Sequence, residues 1–192
     1  MLIAGRASRV PWYFLVMNFA DPKSNLLQLG LRDGMKVADL GAGSGHYTLA
    51  AAGVVGHDGK VYAVDVQEDV LKHALDTAHQ RGMRNIEMVW GDIERVGGTK
   101  LRDQAIDAVI LSNTLFQIED TAGLIKEIRR ILKPGGRLLV IDWAGAYGGM
   151  GPHPNQVVIE RQAEELFITA GFHKLKDFRA GAHHYAIVFT AP

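Results

Sequence analysis

Apolar and polar positions along the chain follow two alternating periods, and the switches between them lay out the elements. Short apolar runs bounded by turn residues read as buried strands over 35–40, 60–64, 86–90, 106–111 and 137–141. Between them, apolar residues recur at helical spacing. Val70, Leu71, Ala74, Leu75 and Ala78 stripe a helix over 68–81. Leu124, Ile125, Ile128, Ile131 and Leu132 stripe one over 121–132, and Ile159, Ala163, Leu166, Phe167 and Ala170 a later one. A small-residue run, Thr48 to Ala52, favours helix over 45–54. Asp21-Pro22 reads as an N-cap followed by proline at the first helical position, and Gly30 as the stop, giving a short helix over 22–29.

Turn signals punctuate these elements: Asp58-Gly59, Gly82, Lys133-Pro134-Gly135-Gly136 and Gly171. The polar stretch 94–104 shows no period and predicts no element. Residues 143–155 are rich in glycine and proline, as in a mobile active-site loop. Two final strands are expected over 172–178 and 185–190, with no helix between them. Strands alternating with helices imply right-handed crossovers and an α/β, doubly wound, mostly parallel sheet covered on both faces. The closing pair predicts that the last strand runs antiparallel.

The chain is organised around one stretch of this pattern. The first long strand runs into Asp39-Leu40-Gly41-Ala42-Gly43-Ser44-Gly45 and then into a helix. Glycine permits positive φ and close approach of the backbone to a bound group, and a helix N-terminus offers unpaired N–H donors. In a doubly wound sheet, ligands lie beyond the carboxyl ends of the strands where strand order reverses. That rule gathers the glycine turn, Asp65, Asp92 and Ser112-Asn113 around one pocket. Asp65 ends the second strand, 20 residues past Gly45, where a carboxylate accepts hydrogen bonds from ribose hydroxyls. Asp92 follows the third strand and could take an adenine amine, with Val66 or Ile93 packing on the base. Asp39 either orients the loop through backbone N–H groups or reaches a cationic amine. An adenosine cofactor follows, and both a nicotinamide dinucleotide and S-adenosylmethionine fit that far. The dinucleotide fingerprint is Gly-x-Gly-x-x-Gly, whereas here the glycines are spaced Gly41-x-Gly43-x-Gly45.

Composition narrows the class. At 192 residues one core is expected, and 47% hydrophobic with 22% charged residues is ordinary for a globular chain. The 21 basic and 21 acidic side chains cancel, so no sequence-independent grip on DNA is expected, since that works by neutralising many phosphates. There is no cysteine, which excludes disulfides, thiolate zinc sites and cysteine nucleophiles. No stretch approaches the ~20 apolar residues of a transmembrane span, and the run from Trp12 to Phe19 lacks a signal-peptide cleavage pattern. The expected location is cytoplasmic.

Taken in order, Val37-Ala38-Asp39-Leu40-Gly41-Ala42-Gly43-Ser44-Gly45, Val64-Asp65, Gly91-Asp92, Ile106-Asp107-Ala108-Val109 and Ile131-Leu132-Lys133-Pro134-Gly135-Gly136-Arg137 resemble the class I S-adenosylmethionine-dependent methyltransferases across residues 24–190. The resemblance implies a seven-stranded sheet with a reversed last strand and S-adenosylmethionine as cofactor. It places Gly41, Gly43 and Gly45 by the methionine part, Asp65 at the ribose, Asp92 at the adenine, and Ser112 and Asn113 near the sulfonium; Asp39, Ala42, Val66 and Ile93 complete the expected cofactor-binding set. The chain is accordingly divided into an aromatic arm or lid over 1–23 and a methyltransferase domain over 24–192.

Methyl transfer from a sulfonium needs a general base only when the acceptor must lose a proton. The candidates are His46, Asp142, His153, His183 and His184. No spacing suggests a metal. Ser112-Asn113-Thr114-Leu115 replaces the Asn/Asp-Pro-Pro-Tyr/Phe of amino-methylating enzymes, and the resemblance that remains is to small-molecule enzymes such as the quinone-biosynthesis C-methyltransferases. The acceptor is therefore expected to be a small and lipophilic molecule. Three other readings compete: a non-catalytic S-adenosylmethionine-binding protein, an RNA methyltransferase and an NAD-dependent oxidoreductase. Trp12, Tyr13, Phe14 and Phe19 of the arm could close over the pocket, touch a lipophilic acceptor, or pack on the sheet edge or on a second subunit of a homodimer. Trp143 and Tyr147 are better placed to meet the acceptor, on a loop over 143–153 expected to gate the site.

Overall fold

The computed structural model describes residues 21–192; the aromatic arm lies outside the described residues except for Asp21, Pro22 and Lys23. Helix α1 spans Pro22–Leu29, with the Asp21 carboxylate accepting from Lys23 N at its start and left-handed Gly30 (φ 74°) at its end. There follow β1 (Lys36–Leu40), α2 (His46–Val55), β2 (Lys60–Asp65), α3 (Glu68–Gln80), β3 (Ile86–Trp90), β4 (Ile106–Ser112) and a one-turn 3-10 helix (Leu115–Gln117). The chain closes with α4 (Thr121–Ile131), β5 (Leu132–Trp143), α5 (Glu160–Thr169), β6 (His173–Arg179) and β7 (His184–Thr190).

The seven strands form one sheet in the order β3-β2-β1-β4-β5-β7-β6. The neighbours from β3 through β5 pair in parallel. β7 alone is reversed, lying antiparallel to both β5 and β6. Strand order turns around between β1 and β4, so the two strands leaving that point open a crevice at their carboxyl ends. β7 runs backwards, so its first residues reach the same end of the sheet.

Alternate residues of the central strands face two separate cores. Leu40, Val64, Leu111, Leu138 and Val140 pack under α4 and α5, joined by Phe167, Phe172 and Phe189. Val37, Val61, Ile110, Leu139 and Ile141 pack under α1 and α2 with Leu26, Leu29 and Ala51. Strands buried on both faces read as near-continuous apolar runs, which is why periodicity located them.

Two elements differ from the sequence expectation. β5 begins at Leu132, straight out of α4, rather than after the Lys133-Pro134-Gly135-Gly136 turn. Leu132 pairs with Ile106 and Arg137 with Ala108, so five residues of β5 sit against two of β4. Gly135 (φ 70°) absorbs that mismatch, and the turn becomes an irregularity inside the strand. The aperiodic 94–104 stretch is also well anchored, by Glu127 of α4. That carboxylate is fully buried and accepts from Gly97 N, Thr99 N and the Thr99 hydroxyl. Arg130 braces it with two further bonds of 2.8 and 2.7 Å.

Candidate active site

The glycine turn is tied to β2 before anything binds. Gly41 N and Ala42 N both donate to Val64 O, at 2.9 and 3.1 Å, and Gly45 N closes the turn on Ala42 O. All three glycines have positive φ (71°, 50° and 79°), where a side chain would be strained. Their surroundings then separate them. A Cβ on Gly41 would fall 2.5 Å from the Thr114 hydroxyl, and one on Gly45 would fall 2.8 Å from Ala74 Cβ. One on Gly43 would meet only Gly41 O, at 4.0 Å. Gly41 and Gly45 are thus small so that the loop can pack, and Gly43 presents bare backbone to open space.

Asp65 is buried at the end of β2, one carboxylate oxygen accepting from Gly43 N and the other from Gln67 N, both at 2.9 Å. A carboxylate has about four lone-pair sites, so acceptor capacity remains on each oxygen. Asp39 is also buried, and a backbone bond from Thr48 is among those it accepts. It accepts from the Thr48 hydroxyl of α2 at 2.6 Å, holding the helix to the strand. Burial pushes its carboxyl up to about 6, against the pull of the Thr48 bonds.

Farther along the crevice, Asp92 accepts from Glu94 N and pairs with the Arg95 guanidinium, 3.0 Å in each case. Of the two apolar residues expected at a base, Ile93 is part of the core under α4, whereas Val66 is exposed. At the end of β4, Asn113 adopts φ 55°, and its Oδ1 is buried with no hydrogen-bond partner among the described residues. The Ser112 hydroxyl is likewise buried without a hydrogen-bond partner among the described residues.

Thr114 had no sequence signal, yet its hydroxyl donates toward Ser112 O at 3.0 Å and Leu40 O at 3.5 Å while its side chain covers Gly41. It locks the end of β4 to the glycine turn. Only its place directly after Ser112-Asn113 could have drawn attention to it.

The five candidate bases scatter. His46 is exposed at the start of α2, lining a surface groove with Ser44, His73 and Arg81. His153 is exposed on the loop after β5 and bonded to Asn155. Asp142 is fully buried and accepts from Trp143 N at 2.8 Å and Phe116 N at 3.4 Å, so it caps the 3-10 helix. Burial raises its carboxyl to about 6 in spite of those backbone bonds. Of the five, only His183 and His184 come to the crevice end of the sheet with buried ring nitrogens (Nδ1 of His183, both of His184) that have no partner among the described residues. Among the described residues no group of three His, Cys, Asp or Glu is gathered as a metal ion needs, and no helix is long and apolar enough to cross a membrane.

A sequence profile described as "Methyltransferase domain" matches residues 31–177. The chain belongs to the class I S-adenosylmethionine-dependent methyltransferases. Within that family, the solved structure of a SAM dependent methyltransferase from Aquifex aeolicus overlays with a TM-score of 0.84 at 27% identity, covering 92% of each chain. A ubiquinone/menaquinone biosynthesis C-methyltransferase, UbiE, of Haemophilus ducreyi is 33% identical over 116 residues, 60% of this chain and 44% of that one. A demethylmenaquinone methyltransferase of Bacillus mycoides is 28% identical over 120 residues, 62% of this chain and 49% of that one. The chain spans about half the length of the curated relatives it matches.

S-adenosylmethionine is the cofactor of this family, and the residues present fit it. Gly43 leaves room for close approach, Asp65 retains acceptor sites, and Asn113 Oδ1 has no partner among the described residues at the point where strand order reverses.

Proposed function

We propose that this methyltransferase transfers a methyl group from S-adenosylmethionine to a small, lipophilic acceptor carrying an aromatic or quinol ring. The observation that carries the reading is the coupling of Gly43 to Asp65: one hydrogen bond joins the open turn to the carboxylate that closes β2. Backbone and carboxylate are thereby fixed relative to each other before a ligand arrives, so little ordering remains to be done on binding.

In this reading Asp65 accepts from the two ribose hydroxyls with its free lone pairs, and Val66 packs on the adenine. The Asp92 carboxylate, steadied by Glu94 N and Arg95, accepts from the adenine amine. Asn113 Oδ1 and the Ser112 hydroxyl face the methionine end. The bound cofactor supplies an electrophilic methyl group on a sulfonium, a strong leaving group. What the protein adds is alignment of the acceptor atom with that methyl and exclusion of water, which together account for large accelerations without covalent catalysis. Asp142 is committed to backbone N–H groups and His46 and His153 are solvated, so none of these three is assigned a proton-transfer role.

The likeness to proteins named for quinone methylation supports an aromatic acceptor, and so does the cluster of aromatic side chains beside the crevice. The reading is tested by incubating the protein with methyl-labelled S-adenosylmethionine and a panel of naphthols, hydroquinones and tRNA. Label is expected in the hydroxylated aromatics. Label in tRNA alone, or in nothing while cofactor binds, would replace this reading with one of its rivals.

A further inference from the structure

Four aromatic rings meet where β5 ends and β7 begins. Trp143 and His184 are register partners on antiparallel strands, so they project from the same face, with ring centroids 4.3 Å apart and planes tilted by 45°. Tyr147 packs on His183 at 4.2 Å, and 6.4 Å between Trp143 and Tyr147 joins the two pairs. Ser112 pairs in parallel register with Ile141, two residues before Trp143, so the rings lie on the face that carries Ser112.

His184 is only 3% exposed, yet neither of its ring nitrogens has a hydrogen-bond partner among the described residues, and the same is true of His183 Nδ1. Buried polar atoms are nearly always satisfied, and an exception calls for an explanation. A neutral imidazole holds one donor and one acceptor. Burial, reinforced by neighbouring His183, pushes the His184 ring down to about 4, so at neutral pH it offers hydrogen bonds and no charge.

We propose that His184 is a specificity residue for the methyl acceptor, hydrogen-bonding a ring hydroxyl of a planar aromatic molecule laid against Trp143 and Tyr147. The inference rests on the methyltransferase reading above and names the group that selects its substrate. Three features support it. The His184 ring is buried and uncharged at neutral pH, so a neutral hydroxyl suits it better than an ion, whose burial would be penalised. Flat rings favour a flat partner through offset or edge contacts. The cover over Trp143 is the 144–152 loop, where a Cβ on Gly151 would fall 2.6 Å from the indole. That loop is tied at its root by Ala144 N to His183 O and across its tip by Met150 N to Tyr147 O. Gly148, Gly149 and Gly151 all have positive φ, so few contacts and a pliable backbone let the cover lift.

The test is calorimetric, on the full chain saturated with S-adenosylhomocysteine, using naphthol and methoxynaphthalene as probes. They share a ring system and differ in the hydroxyl donor. The wild type should bind naphthol roughly 3- to 10-fold more tightly, the worth of one hydrogen bond. His184→Phe should bind the two equally, His184→Asn should keep part of the preference, and both should bind S-adenosylhomocysteine as the wild type does. The ring-nitrogen NMR resonances of His184 should also move with naphthol and stay still with the ether. An undiminished preference in His184→Phe would overturn the proposal, as would unmoved resonances in the wild type should that variant fail to fold. Loss of S-adenosylhomocysteine binding by the wild type would instead sink the methyltransferase reading itself.

Discussion

At the residue scale, the three glycines of one motif make different predictions. Gly43→Ala adds a methyl group that meets only Gly41 O, at 4.0 Å, but stands where a ligand must approach, at a φ that costs about 1 kcal/mol for a side chain. Gly45→Ala carries the same strain and also drives into Ala74. Thermal denaturation should therefore show a larger loss of stability for Gly45→Ala, whereas calorimetry should show the loss of cofactor affinity concentrated in Gly43→Ala. Asp39 gives a pH-dependent prediction. Its folded-state carboxyl, raised to about 6, holds a proton that the unfolded chain releases near 3.8. Stability is thus lost as pH rises between those values, reaching a penalty of up to about 3 kcal/mol above pH 6. Asp39→Asn keeps an acceptor for the Thr48 hydroxyl and removes the charge. Its stability relative to wild type should climb across pH 4–6 in denaturant titrations, and a flat difference would contradict the assignment.

At the scale of elements, the sequence was most informative where structure is local. The cap at Asp21, the stop at Gly30 and the apolar runs of β1 to β4 depend on neighbours within a few residues, and each appears where expected. The 94–104 stretch does not, because its order comes from Glu127, about 30 residues away on another element. β5 starts five residues early for a similar reason: pairing of Leu132 with Ile106 overrides the turn tendency of the Lys-Pro-Gly-Gly run. Burial alone would raise Glu127, but the hydrogen bonds from Arg130, Thr99 and Gly97 outweigh it and hold the carboxyl at about 2. A depressed carboxyl stabilises the fold above its unfolded value of 4.5 and loses that contribution as pH falls toward 2. The contribution is about 3 kcal/mol. Glu127→Ala should destabilise the protein at pH 7 and flatten this acid limb, and the loop that follows Asp92 should gain proteolytic sensitivity.

At the scale of the whole molecule, the site belongs to no single element. Strand order brings Gly43, Asp65, Asp92, Asn113 and His184 to one end of the sheet from segments spread over more than half the chain. The sequence could name most of these residues because strand ends are legible and the reversal rule says which end matters. It could not show that Asp39 and Asp142 are committed to internal bonds, or that His184 is left without one, since those facts depend on side-chain geometry across elements. A ligand that spans several strand ends should stabilise all of them together. At 100 times its dissociation constant, S-adenosylhomocysteine should add about 2.7 kcal/mol, raising the melting temperature by roughly 5–10 °C. Cleavage within 144–152 should also slow when it is bound together with an aromatic acceptor.

The most direct measurement is a calorimetric titration of S-adenosylhomocysteine into the wild type and into Asp65→Ala, with NAD as the control ligand. Saturable binding to the wild type, a loss of about 1–3 kcal/mol in the variant and no heat from NAD are the predicted results. Equal affinities for the two proteins, or preferential binding of NAD, would contradict the account.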